Sequence, residues 1–213
     1  MNASDAMPSR GLYLLTPDED DPGRLRERVE PLLGEGVAML QLRNKRAGTN
    51  LLRRLARALL PACHTHGVPL IINDDWRLAA ELGAAGAHLG ADDGALDQAR
   101  KVLGKHAILG ASCYDDAARA ECARSLGASY LAFGAFFRSG TKPMAQQAPL
   151  SLLRQAAVLR LPMVAIGGIT PDNGRLVIDA GADFIAVLGG VFGAADPAGA
   201  VRTFRDLFRR EPP

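Results

Sequence analysis

The residues with the clearest chemical potential form a short polar run at the end of an apolar stretch. After Val37–Met39 the chain continues through Leu40–Lys45 with the letters LQLRNK, which is the pattern of a β-strand and its exit. Strand side chains alternate between two faces, so Gln41 and Arg43 are expected to share one face, with Lys45 following. A solvated edge strand would give the same pattern. Similar polar residues end nearly every apolar run, however, and this recurrence favours an active site.

Two clusters of carboxylates follow neighbouring apolar runs. The third run leads into Asn73-Asp74-Asp75, and the fourth is followed by Asp92-Asp93. Mg²⁺ prefers one or two carboxylates together with waters and phosphate oxygens, so this pattern predicts a Mg²⁺ site shared with a phosphorylated substrate. Helix N-capping by aspartate is the alternative for either cluster alone. The two clusters together, beside the Gln-x-Arg-x-Lys run, favour the metal site.

Three further segments have the composition of phosphate-binding loops. The sixth apolar run is followed by Gly134–Lys142, in which small hydroxyl residues, glycines and a lysine could grip phosphate or diphosphate. Its Gly-Thr-Lys order is not that of a Walker A loop. The seventh and eighth runs end in the pairs Gly167-Gly168 and Gly189-Gly190. Either pair could serve a tight turn, but both at these two strand ends favour a monophosphate site.

These segments need a scaffold in which short strands alternate with amphipathic helices. The apolar periodicity predicts eight strands near 12–15, 38–43, 69–73, 87–89, 107–112, 130–133, 162–166 and 184–188. It predicts helices near 24–33, 51–65, 76–82, 95–103, 117–126, 150–159, 173–180 and 198–208. Eight such units in about 200 residues predict an α/β fold, a single (β/α)₈ TIM barrel over 11–213 after a flexible leader at 1–10. A doubly wound open sheet is the competing architecture.

Composition excludes several other classes of protein. The 213 residues carry a formal net charge of only +2, which gives no reason to expect nucleic-acid binding. Three cysteines without a C-x-x-C spacing argue against a disulfide framework or a structural zinc site and favour the cytoplasm. No signal peptide and no membrane-spanning run is predicted.

The candidates for covalent or acid–base chemistry are weaker. His88 lies inside a predicted strand and is interpreted as an interior histidine, although it is close to the strand end. Ser112 ends the fifth strand, but no histidine base lies near it in sequence, which argues against a serine nucleophile. Cys113 is interpreted as a small packed thiol. Without an obvious nucleophile or general base, ionisation of a diphosphate leaving group fits the residues better.

Taken in order, the motifs resemble those of thiamine-phosphate synthases. The matching segments cover about 11–208: Gln41-Leu-Arg-Asn-Lys45, Ile72-Asn-Asp74, His88-Leu-Gly-x-x-Asp93, Gly110-Ala-Ser112, Ser139-Gly-Thr-Lys142, Ile166-Gly-Gly-Ile-Thr170 and Gly181-Ala-Asp183. The resemblance implies condensation of hydroxymethylpyrimidine diphosphate with thiazole phosphate, giving thiamine phosphate and diphosphate. It also implies a dissociative mechanism in which the diphosphate leaves first.

The resemblance assigns roles position by position. Two residues would hold Mg²⁺: Asp74 and Asp93. The pyrimidine diphosphate would be bound by Gln41, Leu42, Arg43, Asn44, Lys45, Asn73, Ser112 and Lys142. Within that set the catalytic residues would be Arg43, Lys45, Ser112 and Lys142. The thiazole phosphate would be bound by Ser139, Gly140, Thr141, Gly168, Leu188 and Gly189. The chain departs from the family pattern at Ala91, Ala135 and Gly189, where glutamine, Gly-Pro and serine are common.

Two other functions remain as alternatives to the transferase. A thiazole tautomerase of the same superfamily would not need the diphosphate-binding residues. A non-catalytic sensor of phosphorylated ligands would leave the aspartates unexplained. The expected partners are phosphorylated small molecules, with no nucleic acid and no membrane, and the sequence leaves open whether the chain forms a homo-oligomer. The stretch 138–147 is the candidate lid on composition.

Overall fold

Eight parallel strands close into a barrel in the computed structural model of the protein, which describes residues 7–90, 95–138 and 147–209. Each strand pairs with its neighbours in chain order, and the last strand pairs with the first. The strands are β1 (Gly11–Leu15), β2 (Val37–Leu42), β3 (Leu70–Asn73), β4 (Gly86–Leu89), β5 (Ile108–Tyr114), β6 (Tyr130–Phe133), β7 (Met163–Ile166) and β8 (Phe184–Val187). The predicted (β/α)₈ barrel is confirmed, and the open sheet is excluded because β1 and β8 are hydrogen-bonded.

Helices follow each strand along the described part of the chain. They are α1 (Pro22–Leu33), α2 (Thr49–His66), α3 (Trp76–Leu82), α4 (Leu96–Leu103), α5 (Ala117–Ser125), α6 (Ser151–Ala156), α7 (Gly174–Asp179), α8 (Gly189–Phe192) and α9 (Pro197–Leu207). Most bounds lie within two residues of the prediction. The short helix α8 was not predicted, because two consecutive glycines were interpreted as a loop. Helix α6 ends early, in a 3₁₀ turn over Ala157–Leu159.

Aspartate side chains cap the starts of α1, α3, α5 and α9, and a glycine in the left-handed conformation ends α2 and α3. Asp116 accepts hydrogen bonds from the backbone N–H groups of Ala118 and Arg119 at the start of α5. Gly83 adopts φ +63° after α3, where its N–H donates back to the last turn of the helix. These caps fix where α5 begins and where α3 ends.

The apolar side chains divide into an interior cluster and an outer cluster. The interior cluster fills the barrel and includes Met39 on β2, whereas Leu40 and Leu42 belong to the outer cluster between strands and helices. Gln41 is buried, with 4% of its surface exposed, and it bonds to the interior residue Tyr13. The alternation predicted for β2 is therefore confirmed over Leu40–Leu42, and it brings the Gln41 side chain inside the barrel; Arg43 lies just after the strand.

Strand β5 continues past its predicted end at Ser112. The pairing with β6 shifts register between Ser112 and Tyr114, and Tyr114 adopts φ +55°. An irregularity of this kind bends a strand and changes the direction of the side chains beside it. Ser112 therefore lies next to a local distortion at the end of β5.

Of the predicted leader, residues 7–10 are described; Met7 packs against the interior cluster, and the Arg10 guanidinium lies 5.3 Å from the ring centroid of Phe208. Among the described residues, no helix is both long enough and apolar enough to cross a bilayer.

Candidate active site

A polar cleft opens at the carboxyl end of the barrel, between the loops that follow β2 and β3. Its volume is about 610 Å³. The walls are formed by Asn44, Lys45, Ala47, Leu52, Asn73, Asp74, Asp75, Trp76 and Arg77. Four of these residues were predicted to bind substrate or metal: Asn44, Lys45, Asn73 and Asp74. In TIM barrels, active sites lie at this end of the strands.

A buried threonine fixes the backbone of the residue that follows β2. The N–H of Arg43 donates to Thr16 Oγ1 over 2.9 Å, and that hydroxyl donates to the Arg43 carbonyl oxygen over 3.1 Å. Thr16 is fully buried after β1. The Arg43 guanidinium is partly buried and lies 4.0 Å from the Asp18 carboxylate. The sequence analysis missed Thr16, which holds Arg43 in place through the main chain.

The other members of the β2 run differ in what they can offer a ligand. The Asn44 side chain donates to the Glu19 carbonyl oxygen over 2.9 Å and accepts from the Arg46 N–H over 3.1 Å. Leu42 is fully buried in the outer cluster. Contact between substrate and Leu42 would therefore have to use its backbone, whereas the exposed Lys45 borders the cleft.

The two aspartates after β3 have different environments. Asp75 caps α3, accepting a hydrogen bond from the Leu78 N–H over 2.9 Å, so the capping interpretation holds for this residue. Asp74 adopts φ +67°, which is uncommon for a residue with a side chain, and its N–H donates to the His88 carbonyl oxygen over 2.8 Å. Asp74 and Asn73 bring side-chain oxygen atoms to the cleft wall, and oxygen atoms of this kind are suitable ligands for Mg²⁺.

A series of hydrogen bonds crosses the barrel interior from β2 to β5. Gln41 Nε2 donates to Tyr13 Oη over 2.8 Å, and the Tyr13 and Tyr130 hydroxyls are 2.8 Å apart. Tyr130 Oη lies 2.9 Å from His88 Nδ1, and His88 Nε2 lies 2.9 Å from Ser112 Oγ. We call these five residues the interior hydrogen-bond chain. It joins two predicted substrate-binding residues, Gln41 and Ser112, through three residues that were not predicted to act together.

Glycine at position 110 makes this arrangement sterically possible. Gly110 on β5 is the register partner of both His88 on β4 and Tyr130 on β6. A Cβ atom at position 110 would overlap the Tyr130 phenol group and crowd His88 Nδ1. Because that space is empty, the two rings meet across β5, with centroids 5.6 Å apart and planes inclined by 16°.

Burial sets the ionisation of the groups inside the barrel. Loss of solvation raises the pKa of Tyr13 and of Tyr130 well above the ordinary phenol value, so both keep their protons at neutral pH. Burial likewise raises the pKa of the Cys113 thiol to about 12. Cys113 has no exposed surface and packs in the outer cluster, in agreement with its interpretation as a packed thiol.

The glycine pair after β7 is required by close packing. Gly168 adopts φ +63°, and a Cβ atom there would overlap the Arg138 carbonyl oxygen. The neighbouring Phe137 N–H donates to the Gly167 carbonyl oxygen over 3.0 Å. Asn173 Nδ2 donates to the Gly168 carbonyl oxygen over 3.0 Å and fixes the loop from its far side. The loops after β6 and β7 therefore interlock through backbone atoms.

The glycine pair after β8 has two different environments. Gly189 is exposed, and among the described residues no atom other than those of its chain neighbours and its own helix lies within 4 Å of the position that a Cβ would take. At Gly190 a Cβ would lie 2.9 Å from the Ile169 carbonyl oxygen. Both glycines are in the first turn of α8, where backbone N–H groups have no partner within the helix. The partly buried Leu188 packs against the interior cluster just before this turn.

Sequence comparison with known proteins finds similarity over nearly the whole chain. A family model described as thiamine monophosphate synthase matches residues 12–191. A thiamine-phosphate synthase of Xanthomonas campestris pv. campestris is 52% identical over 200 residues, covering 94% of this chain and 96% of that protein. One from Methylobacillus flagellatus is 51% identical over 201 residues, covering 94% of this chain and 96% of that protein. The chain belongs to the thiamine monophosphate synthase family. It is therefore an enzyme, a transferase.

Solved structures support the same assignment at the level of the fold. The thiamine phosphate pyrophosphorylase from Pyrococcus furiosus is 30% identical, with a TM-score of 0.83 and coverage of 94% of this chain and 96% of that one. A 3-hexulose-6-phosphate synthase from Salmonella typhimurium is 21% identical, with a TM-score of 0.70 and coverage of 93% and 98%. The second similarity concerns the barrel architecture alone.

Several family positions in this chain lie outside the described residues. They are Ala91, Asp93, Ser139, Gly140, Thr141 and Lys142, and most of the candidate lid at 138–147 lies there as well. Within the described part of the chain, no group of three or more histidine, cysteine or acidic residues is arranged to hold a metal.

Sequence reasoning missed the tyrosines of the interior hydrogen-bond chain, although one signal could have revealed them. In β1, Tyr13 alternates with Leu14 and shares the interior face with Leu15. A phenol placed inside a barrel needs a hydrogen-bond partner, and Gln41 on the adjacent strand can provide one. The interpretation of His88 as an interior histidine is confirmed, but its bond to Ser112 was not predicted, because the two residues are 24 positions apart in sequence.

Proposed function

We propose that this transferase joins 4-amino-5-hydroxymethyl-2-methylpyrimidine diphosphate to 4-methyl-5-(2-phosphooxyethyl)thiazole, giving thiamine phosphate and diphosphate. The observation that carries the proposal is the difference between the two sides of the barrel mouth. A cleft bordered by cationic and carboxylate side chains lies after β2 and β3, while backbone-rich glycine turns lie after β7 and β8. The relatives' names support the identity of the product.

In this proposal the β2–β3 side binds the diphosphate. Arg43 and Lys45 supply positive charge, and Asn73 supplies an amide at the cleft wall. Gln41 and Ser112 contact the pyrimidine from the interior hydrogen-bond chain, and Lys142 adds a second ammonium. Pre-arranged cations stabilise the charge that develops on a leaving diphosphate, and loss of one such contact typically costs about 2 to 4 kcal/mol in the barrier.

Mg²⁺ would be held by Asp74 and Asp93, with Asp75 committed to capping α3. When bound, the ion would neutralise part of the charge on the diphosphate oxygens. The donor set supports a hard cation, because the described cleft wall offers carboxylate and amide oxygens and no thiolate or imidazole.

The β7–β8 side would bind the monophosphate of the thiazole. The proposed contacts come from the turns after β7 and β8, which contain Gly168, Leu188 and Gly189. Further hydroxyl and N–H groups would come from Ser139, Gly140 and Thr141. Backbone N–H groups at the start of a helix favour an anion. The exposed Gly189, with open space where a side chain would lie, leaves room for a phosphate to approach the backbone.

The reaction proposed here is dissociative. The bond between the pyrimidine methylene carbon and the diphosphate oxygen breaks, and its electron pair leaves with the diphosphate. The thiazole nitrogen then donates its lone pair to the methylene cation and forms the new C–N bond. No proton transfer is required, which fits a site where Arg43 and Lys45 act as charge-stabilising groups.

We also propose that the protein works in the cytoplasm. All three cysteines, Cys63, Cys113 and Cys122, are free thiols, as expected in a reducing compartment.

Substrates of this size and charge fit an open cleft of about 610 Å³.

The test is to incubate the purified protein with both phosphorylated precursors and Mg²⁺ and to detect thiamine phosphate by mass spectrometry. Product that depends on both precursors and on Mg²⁺ is the expected result. Absence of product from folded protein that still binds thiazole phosphate would contradict the proposal and favour a tautomerase or a sensor. A reaction with the precursors but with EDTA in place of Mg²⁺ is the control for metal dependence.

A further inference from the structure

We propose that Tyr13, Tyr130 and His88 are positioning residues that fix the hydrogen-bonding polarity of the substrate site. In the arrangement of the structure, every bond of the interior hydrogen-bond chain runs in one direction, from Gln41 to Ser112. The side-chain oxygen Oε1 of Gln41 is then the acceptor that the site offers on β2, and the Ser112 hydroxyl is the donor that it offers on β5. The inference rests on the proposed function for the identity of the ligand, but not for the direction of the bonds.

The direction follows from the number of protons at Tyr13. Its phenol oxygen accepts a hydrogen bond from Gln41 Nε2, and its own proton must then go to its second partner, Tyr130. Solvent offers no alternative, because Tyr13 is 1% exposed and Tyr130 is fully buried. A buried hydroxyl proton without an acceptor would be costly, so Tyr13 donates to Tyr130.

The same count then fixes the remaining bonds. Tyr130 accepts from Tyr13, so the Tyr130 proton goes to His88 Nδ1, which lies 2.9 Å away. A neutral imidazole with Nδ1 as acceptor carries its proton on Nε2. That N–H donates to Ser112 Oγ over 2.9 Å, and the hydroxyl proton of Ser112 is left to donate to a ligand.

This polarity has two chemical consequences. With its proton on Nε2, His88 cannot take a proton from Ser112, which gives a structural reason why Ser112 is not a nucleophile. The site also selects a ring that presents a donor to Gln41 and an acceptor to Ser112. An aminopyrimidine, with an exocyclic amine and ring nitrogens, carries both kinds of group.

Rotation of the Gln41 amide by 180° would reverse the whole chain. Gln41 Oε1 would then accept from Tyr13, Tyr13 from Tyr130, and Tyr130 from His88 Nδ1–H. His88 Nε2 would accept from Ser112, and the site would offer an amide donor on β2 instead of an acceptor. The tautomer of His88 therefore reports the direction of the chain.

The experiment is ¹⁵N NMR of the imidazole nitrogens in the ligand-free protein, which identifies the tautomer of His88. The spectrum should show Nε2–H in the parent protein. In Gln41→Glu, an ionised carboxylate can only accept, so the chain should reverse and His88 should change to Nδ1–H. Spectra recorded up to about pH 9 ensure ionisation of the carboxyl group, while the buried phenols keep their protons.

Nδ1–H in the parent protein, or the same tautomer in the parent and in Gln41→Glu near pH 9, would overturn the inference. Because no substrate is present, these outcomes are independent of whether the protein makes thiamine phosphate. Assignment of the His88 signals comes from His88→Gln, which need only fold.

A kinetic measurement separates positioning from simple stability. Tyr130→Phe keeps the ring but removes the link between Tyr13 and His88, and we expect kcat to fall about tenfold with an unchanged KM for thiazole phosphate. Tyr114→Phe removes the hydroxyl of a tyrosine that is 46% exposed and lies outside the chain, so it is the matched control. An unchanged kcat in Tyr130→Phe would overturn the functional part of the inference.

Discussion

The two sides of the barrel mouth offer different kinds of groups to the proposed ligands. After β2 and β3, and along the interior chain to β5, the contacts available are side chains held by hydrogen bonds and a buried threonine. After β7 and β8, they are backbone groups beside glycines, of which Gly168 is enclosed by neighbouring backbone and Gly189 faces open space. In the proposed function, one site is therefore built from side-chain functional groups and the other from backbone groups beside glycines.

This difference predicts how each side responds to substitution. On the side-chain side, removing a functional group should lower turnover while the fold persists. On the backbone side the glycines have no side chain to remove, so the informative substitutions add atoms. The loss of stability should depend on whether the added Cβ meets another atom. Gly168 and Gly189 represent the two extremes, since one is enclosed and the other is open.

The largest effect is expected from Arg43→Ala. Loss of the guanidinium removes charge stabilisation of the leaving diphosphate, and kcat should fall by about 10² to 10³. Arg46→Ala is the control, because Arg46 also pairs with Asp18 but its side chain is 72% exposed. Steady-state kinetics with both precursors gives the comparison; equal losses in the two variants would remove Arg43 from its assigned role.

Gly110→Ala should disrupt the interior hydrogen-bond chain by overpacking. The added methyl group overlaps Tyr130 and His88, so we expect the free energy of unfolding to fall by about 1 to 3 kcal/mol and turnover to fall with it. Urea denaturation measures the first quantity. Gly48→Ala, where no atom lies within 4 Å of the new Cβ, should change stability by less than about 0.5 kcal/mol. A stable Gly110→Ala protein would show that the two rings need no such space.

The backbone side can be tested with a pair of alanine substitutions. Gly168→Ala combines a positive φ with overlap at the Arg138 carbonyl oxygen, and it should destabilise the protein by about 1 to 3 kcal/mol. Gly189→Ala places its methyl group in open space and should leave the unfolding midpoint nearly unchanged. Differential scanning calorimetry of both variants decides the matter, and similar midpoints would contradict the steric distinction.

The smallest effect is expected from the threonine that holds Arg43. Thr16→Val keeps the shape but removes the hydroxyl that bonds to the Arg43 N–H and carbonyl oxygen, and it should destabilise the fold by about 1 to 2 kcal/mol. Thr16→Ser keeps the hydroxyl and should recover most of the lost stability. Urea unfolding of the three proteins gives the ranking; equal loss in valine and serine variants would point to packing instead.

Much of the fold follows from periodicity in the sequence, and the site follows in part. Period two at Leu40–Leu42 predicts which side chains enter the barrel, and apolar periodicity predicts most element bounds to within two residues. The bond between Tyr13 and Tyr130 spans 117 residues and depends on barrel closure, so local patterns do not contain it. Asp74 and Asp75 are adjacent and identical in type, and only the backbone conformation shows that Asp75 caps a helix.

The account depends most on the division of the mouth into a diphosphate side and a monophosphate side. Gly189→Asp would place a carboxylate in open space at the proposed monophosphate site, and Gly189→Asn is its neutral counterpart of the same size. We predict that KM for thiazole phosphate is at least about tenfold higher in the aspartate variant than in the asparagine variant, from charge repulsion alone. KM for the pyrimidine diphosphate should be the same in both. Equal KM values for thiazole phosphate in the two variants would contradict the account.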